Sequence, residues 1–500
     1  MDFRSCPVRI KYSMIDYMDY KNLSKEELDY ILNGSGINKG LMNHQLISLV
    51  FAVTRNRVAY FHGIGTGKTL TALETLKLWK RKRVLVVCPV SAFDAWERDI
   101  KKFTTFSYKF IIGSHEERLK ELSESANVSI INYDGLKCVY ANFAPIGGGK
   151  KKWVLDPAKM THDFDCIVLD EIHRCSAYTT LQSSICVELS RRTGMVVGMT
   201  GTPVDKSLLD LFNIYYTLDL GKSLGNSFFA YRSKYFNQPK FGYEWKIKNG
   251  KDVEILNRLR DSTISFERNE CFDLPELQEV DKWLDPSSEF KSLQDDIIDG
   301  LPIHIGDDWI TVSNDSQKVS MLRQLSSGFI YYKTEFGEYS HVLKENPKLN
   351  TLIDVINGTG SKIIIFHQFI KTSEIIQKAL DKNHTGYVVV NGGQSNKDRI
   401  NAIRRFTTDS SIGTMIAHPA CASEGFDGTV ANVVVFFDPI ASTKIRDQCI
   451  GRVYRKGQKE KSLVINLLLK RSVDKTTVDS RNDRSSLVKS VMKFIHEYHS

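Results

Sequence analysis

Ten short runs of unbroken apolar character punctuate this chain, at 57–62, 83–88, 128–132, 164–169, 195–199, 362–367, 387–390, 414–417, 432–437 and 462–469. A strand with one wet face alternates apolar and polar residues, whereas a strand covered on both faces reads as a continuous apolar run. Helix-period stretches such as 70–80, 92–103, 373–380 and 397–406 lie between the runs. Covered strands alternating with helices define an α/β fold built on parallel sheets. The pattern occurs twice, so two sheet domains are expected, at 41–218 and 346–471. The stretch between them, 219–345, has weaker periods and reads as helices and hairpins inserted between the sheets. Asn249-Gly250 marks one hairpin turn near 243–253, and a second is expected to turn near Gly337. Residues 1–40 read as a small helical extension. The tail 472–500 reads as helical, with an amphipathic segment near 487–498.

Composition narrows the class. Over 500 residues the chain is 42% hydrophobic and 25% charged, which excludes a largely disordered or collagen-like protein. Its net charge of +9 permits a nucleic-acid partner without requiring one. Charged residues interrupt the first twenty positions, so no secretory signal is expected. No apolar run approaches the ~20 residues that span a bilayer. The nine cysteines form no CxxC pair. They read as reduced thiols in an intracellular, cytoplasmic or nuclear setting.

The sharpest local signal is His62-Gly63-Ile64-Gly65-Thr66-Gly67-Lys68-Thr69, placed after a strand and before a helix. Glycines there let backbone N–H groups and a helix N-terminus wrap phosphates. Lys68 can reach the β and γ phosphates of ATP, and Thr69 can ligate Mg²⁺. The strict phosphate-loop pattern asks for Gly where His62 stands. A bare glycine turn before a helix is the plainer alternative. About a hundred residues on, the run 164–169 ends in Asp170-Glu171-Ile172-His173, acids at the strand end where α/β sheets bind ligands. Asp170 suits Mg²⁺ and Glu171 suits the base that orients water, unless the pair only caps the next helix. His173 and Thr200-Gly201-Thr202-Pro203 suit coupling between the acids and a second domain. Ser91, after Cys88-Pro89, and His367, after the run 362–367, are candidate contacts to nucleic-acid phosphates, together with Thr202.

In the second half, Gln448-Cys449-Ile450-Gly451-Arg452-Val453-Tyr454-Arg455 is read as opening a helix. Arg452 and Arg455 would then share one face and grip a triphosphate. A solvated basic face is the alternative. Ser423-Glu424-Gly425-Phe426-Asp427-Gly428 can approach a nucleotide.

Taken in order, these motifs resemble those of the superfamily-two helicases and translocases, and within them the Swi/Snf family. Leu41-Met42-Asn43-His44-Gln45 looks like the adenine-reading motif, with Gln45 the reader. VVCPVSAFDAWERDIKKF, INYD, DEIHR, MTGTPVDKSLLDLFNIYYTLD, IIIFHQF, SEGFDG and QCIGRVYRKGQ follow the family's successive motifs. FERNECFDLPELQEV also looks family-like. The resemblance implies two RecA-like lobes with ATP and Mg²⁺ between them and DNA tracked across both. It implies Gly63, Gly65, Thr66, Gly67, Lys68, Thr69, Gly425 and Asp427 as nucleotide contacts. It also implies His173, Thr200, Thr202 and Gln448 as coupling residues, and Arg452 and Arg455 as arginine fingers. A compact chain without reader modules looks most like a phage or viral motor for forks and junctions, acting as a monomer on duplex or branched DNA. A DExH RNA helicase or a transcription-linked NTPase is the competing reading.

Overall fold

The computed structural model describes residues 23–482, apart from 39, 148–149, 162, 202–206, 239–244, 273, 307, 313, 335–336 and 425. The amphipathic segment expected near 487–498 lies outside the described residues. The chain divides into two compact units, meeting in sequence between 273 and 274.

The first unit holds a seven-stranded sheet in the order Thr263–Phe266, Arg57–His62, Met195–Met199, Cys166–Asp170, Val84–Cys88, Val128–Asn132, Tyr108–Ile111. Every pairing is parallel. The apolar runs have their physical cause here. In Val84–Cys88 all five residues are buried. Val84, Val86 and Cys88 pack into one core on one face, and Leu85 and Val87 into a second core on the other.

The second unit has six parallel strands in the order Leu277–Leu284, Ser462–Leu469, Ala431–Phe436, Lys362–Phe366, Thr414–Ala417, Tyr387–Val390. Both sheets are of the expected parallel α/β type. Among the described residues no helix is long and apolar enough to cross a membrane. The eight described cysteines are free thiols.

Three strands escape the apolar-run reading, and all are sheet edges. Tyr108–Ile111 is only partly buried, and Leu277–Leu284 is exposed over most of its length. Thr263–Phe266 alternates buried and open positions. The stretch 219–345 is therefore shared out: Thr263–Phe266 extends the first sheet, and Leu277–Leu284 extends the second. Leu277–Leu284 pairs over eight residues with Ser462–Leu469. Asn466 Nδ2 donates to Asp281 at 2.6 Å, and Arg446 is bidentate on Glu279 at 2.6 and 3.5 Å.

The hairpin expected at Asn249-Gly250 is corrected. Lys246–Ile247 pairs back onto Phe236–Asn237, and Gly250, at φ 70°, begins the helix Lys251–Leu259. A left-handed glycine serves a helix N-terminus as well as a hairpin turn, which is why the dipeptide misled. The hairpin near Gly337 is present, as Phe329–Thr334 against Gly337–Val342. A third hairpin is Ala141–Gly147 with Lys150–Leu155; the sequence reads 147–152 as a flexible basic loop, and the structure corrects this by placing Lys150, Lys151 and Lys152 in the second strand.

Candidate nucleotide-binding site

The loop 63–67 joins the strand Arg57–His62 to the helix Lys68–Leu78. Gly65 and Gly67 have φ of 82° and 81°, a region costly for any residue with a Cβ. A Cβ at Gly67 would also come within 2.6 Å of Gln45 Nε2. Lys68 folds back over the loop, its Nζ donating to the carbonyls of His62 and Gly63 at 3.1 Å each. Thr66 Oγ1 donates to Gly63 O at 2.8 Å, and His44 Nε2 lies 2.8 Å from Thr66 O. Gln45 accepts from the Met42 N–H at 3.0 Å and donates to Gly67 O at 3.3 Å, which puts it on the rim of the loop. Thr69 follows Lys68 in the first helical turn, half-buried.

His62, the departure from the strict loop pattern, is fully buried. Its Nε2 meets Ser48 Oγ at 2.9 Å, and its ring stacks on Tyr60. It is the last strand residue, turned into the core, so the loop proper begins at Gly63.

Two neighbouring strands deliver the rest of the site at their carboxyl ends. Asp170 closes Cys166–Asp170 and is almost fully buried. Burial and the adjacent Glu171 push its carboxyl up to about 6, against the opposing pull of Trp96 and Lys68. Trp96 Nε1 donates to Asp170 Oδ2 at 3.0 Å, and Tyr133 OH donates to the Asp170 carbonyl at 2.9 Å.

Glu171 sits at φ 58°, ψ 50°. A non-glycine residue in that region costs about 1–3 kcal/mol, which the surrounding contacts must hold. Thr200 Oγ1, beyond the strand Met195–Met199, donates to Glu171 Oε2 at 3.0 Å. His173 Nδ1 lies 2.9 Å from that hydroxyl and 3.1 Å from the same carboxylate oxygen. Gly201 closes the arrangement, since a Cβ there would meet Ile64 at 2.9 Å and Lys68 Nζ at 3.5 Å.

Lys68, Asp170, Glu171, His173 and Thr200 are thus gathered at the carboxyl end of one sheet. Thr202 and Gly425 lie outside the described residues. Ser91 is half-buried in the short turn Val90–Ala92 beyond Val84–Cys88. Sequence reasoning assigned no role to Trp96, Tyr133 or Arg268. Arg268 Nε donates to Ile64 O at 3.0 Å, bracing the phosphate loop from the far end of the unit's chain. Their only signal was membership of family-like segments.

Two expectations in the second unit need correction. His367 is 2% exposed, with Nδ1 3.0 Å from Phe369 O, so its side chain serves the interior and not a solvent-facing phosphate contact. The segment 448–455 closes a helix instead of opening one. Thr443–Val453 places Gln448 mid-helix and Arg452 in the last turn, while Arg455 lies past the end, off any shared helical face. The turn there is pinned by Gln458, whose Nε2 donates to Ala431 O at 2.8 Å and whose Oε1 accepts from the N–H groups of Lys459 and Glu460, both at 3.0 Å. Asp427 is exposed and accepts from Thr429 N at 3.0 Å and Thr429 Oγ1 at 2.8 Å, a local turn.

Two family models match the chain in the order this geometry asks for. An SNF2-related domain covers residues 45–261, and a helicase conserved C-terminal domain covers 347–457. The chain belongs to the Swi/Snf family of superfamily-two helicases. As a member it is a nucleic-acid-dependent ATPase. Putative protein p41 of Acyrthosiphon pisum secondary endosymbiont phage 1 is 23% identical over 479 residues, spanning 89% of this chain and 95% of that protein. A Caenorhabditis elegans homologue of the SWI/SNF-related chromatin regulator subfamily A-like protein 1 is 22% identical, spanning 90% of this chain and 61% of its own length. The Saccharomyces cerevisiae DNA repair and recombination protein RDH54 is 21% identical, spanning 81% and 46%. The chain therefore spans about half the length of these cellular relatives. Among solved structures, the Sulfolobus solfataricus SWI2/SNF2 ATPase core in complex with dsDNA aligns over 89% of this chain and 91% of that one, with a TM-score of 0.42 and 20% identity.

Proposed function

We propose that this Swi/Snf-family ATPase couples ATP hydrolysis to movement along DNA, and that its work is the remodelling of forks or junctions by branch migration. The observation that carries the chemistry is the meeting of Lys68, Asp170, Glu171 and Thr200 at the carboxyl end of one sheet around a glycine loop. Lys68 binds the β and γ phosphates and gives up its two carbonyl contacts to do so. Glu171 orients and deprotonates the attacking water. Thr200 and His173 hold that carboxylate in its strained backbone position and couple it to the segment that follows. Arg452 and Arg455 stabilise charge on the γ-phosphate in the transition state.

Among the described residues no cluster of three or more ligating side chains would cage a metal alone. Mg²⁺ needs no such cage, being held by one or two protein oxygens plus phosphates and waters. Thr69 and Asp170 would hold it, and it would neutralise developing phosphate charge.

DNA as the track is supported by the positive net charge and by the DNA repair and recombination role in the name of one relative. The chain is proposed to act as a monomer. The test is ATPase activity of the whole chain with four-way junctions, forks, duplex, single strands and RNA, each in turn. Stimulation by DNA, greatest on branched DNA, is expected. Stimulation by RNA alone would give the assignment to an RNA helicase or a transcription-linked NTPase.

A further inference from the structure

The hairpin Ala141–Gly147 with Lys150–Leu155 has a fixed root and an open body. At the root, Ala141 is buried opposite Leu155, which packs on the core. Asp156 N–H donates to Tyr140 O at 2.9 Å, and Asn142 Nδ2 donates to Asp156 Oδ2 at 2.7 Å. Lys159 Nζ donates to Ala141 O at 3.2 Å.

Two pairs further out, Phe143 and Trp153 stand directly opposite each other, ring centroids 5.4 Å apart. They are 55% and 38% exposed. On the other face Val154 is 43% exposed and Lys152 is open to solvent. A cross-strand aromatic pair stabilises a hairpin, but that alone leaves the surrounding charge unexplained.

Residues 135–160 contain five lysines and one acid, Asp156, which is engaged at the root. These 26 residues therefore carry +4 of the chain's +9. The contrast with Ile303–Ile305 and Asp308–Ile310 is instructive. That hairpin exposes Trp309 more fully, at 68%, yet its sequence 300–312 carries two aspartates and no lysine.

Exposed rings on a hairpin whose sequence is cationic, with its one acid spent at the root, make a surface on which bases stack while their phosphates are held. We propose that the Phe143–Trp153 face is a stacking platform for the unpaired bases of a single DNA strand. A duplex does not fit the role, because its base faces are covered by their neighbours. The proposal rests on the reading of this chain as a DNA motor.

The experiment measures full-length protein by fluorescence anisotropy at one fixed salt concentration. The probes are a labelled oligo-dT strand, the same strand with abasic residues, and a blunt duplex. Wild type should bind oligo-dT about tenfold or more tighter than the abasic strand. Phe143→Ala and Trp153→Ala should erase that difference, leaving duplex affinity and duplex-stimulated ATPase unchanged. Phe143→Tyr and Trp153→Phe should restore it, which separates stacking from folding. If the alanine variants still distinguish oligo-dT from the abasic strand, or if wild type never does, the platform is wrong. If alanine and aromatic variants alike lose oligo-dT and duplex binding together with melting temperature, the pair is only structural and the proposal fails. The motor reading fails separately, if wild-type ATPase responds to no DNA.

Discussion

The two sheets share an architecture and use their carboxyl ends in opposite ways. In the first unit, Asp170, Glu171 and Lys68 stand close together around a glycine loop, with one acid in a strained conformation and the other held well above its usual range. In the second unit the acids are consumed. Asp438, past the strand Ala431–Phe436, accepts from Ser327 Oγ at 2.6 Å and from Gln368 N at 2.7 Å. Asp474 accepts from Ser326 Oγ at 2.5 Å and from Leu469 N at 2.8 Å. It also lies 2.7 Å from the buried Lys348 ammonium, with which it forms an ion pair. Backbone strain and a raised carboxyl mark the carboxyl end of the first sheet, and acids tied by short hydrogen bonds and an ion pair mark that of the second.

The sharpest break in this contrast is Lys68→Ala. Removing the phosphate-binding cation should lower kcat by on the order of 10³-fold, read in a coupled ATPase assay. Glu171→Gln should cost about 10²–10³-fold in kcat while ATP still binds, because only the base is lost. Wild-type turnover in Glu171→Gln would return the acid pair to the rank of helix caps. Arg452→Ala and Arg455→Ala test the second unit's part. Each should lower kcat by about 10²-fold with little rise in KM, as expected for groups felt mainly in the transition state. An unchanged kcat would leave them a solvated basic patch.

How far these sites were legible depends on what each residue answers to. Lys68, Asp170 and Glu171 follow from local patterns, because a phosphate loop and acids at a strand end need only their own neighbours. Trp96 and Arg268 answer to partners 74 and 204 positions away, at Asp170 and Ile64, which no local period encodes. Buried strands announce themselves by apolarity. The edges Tyr108–Ile111 and Leu277–Leu284 do not, since one side stays wet and charged. Asn249-Gly250 and 448–455 failed for a related reason: a turn dipeptide or a basic pair fits both the start and the end of an element, and only packing decides which.

The ion pair in the second unit predicts stability instead of rate. Lys348 is fully buried and Asp474 nearly so. Lys348→Ala strands a buried carboxylate and should cost about 3–5 kcal/mol, seen as a fall in melting temperature. Lys348→Met with Asp474→Asn should recover much of it, since neither charge is then left alone. Equal losses in the single and double variants would show that the pair is not what holds the helix Pro347–Gly358 to Val473–Asn482.

The smallest effect expected concerns His367. Burial pulls its pKa below the usual 6.5, and neighbouring His418 adds to that, while Asp438 and the Phe369 carbonyl pull the other way. His418 is itself lowered by burial, opposed by a hydrogen bond with the Gln368 backbone. A histidine kept neutral in the folded state while the unfolded chain takes up a proton destabilises the fold on acidification. The stability these rings contribute is therefore complete above pH 6.5 and drains away as pH falls through the window down to their lowered folded values. Each ring can add at most about 1.4 kcal/mol per pH unit to the slope. His367→Asn keeps a neutral polar side chain and removes the titration. Its melting temperature should fall less steeply than wild type between pH 6.5 and 5.5, above the range where most carboxylates titrate. Parallel slopes for the two proteins would mean that His367 protonates in place, in which case Asp438 has charge to spare and the second unit is less fully neutralised than its hydrogen bonds indicate.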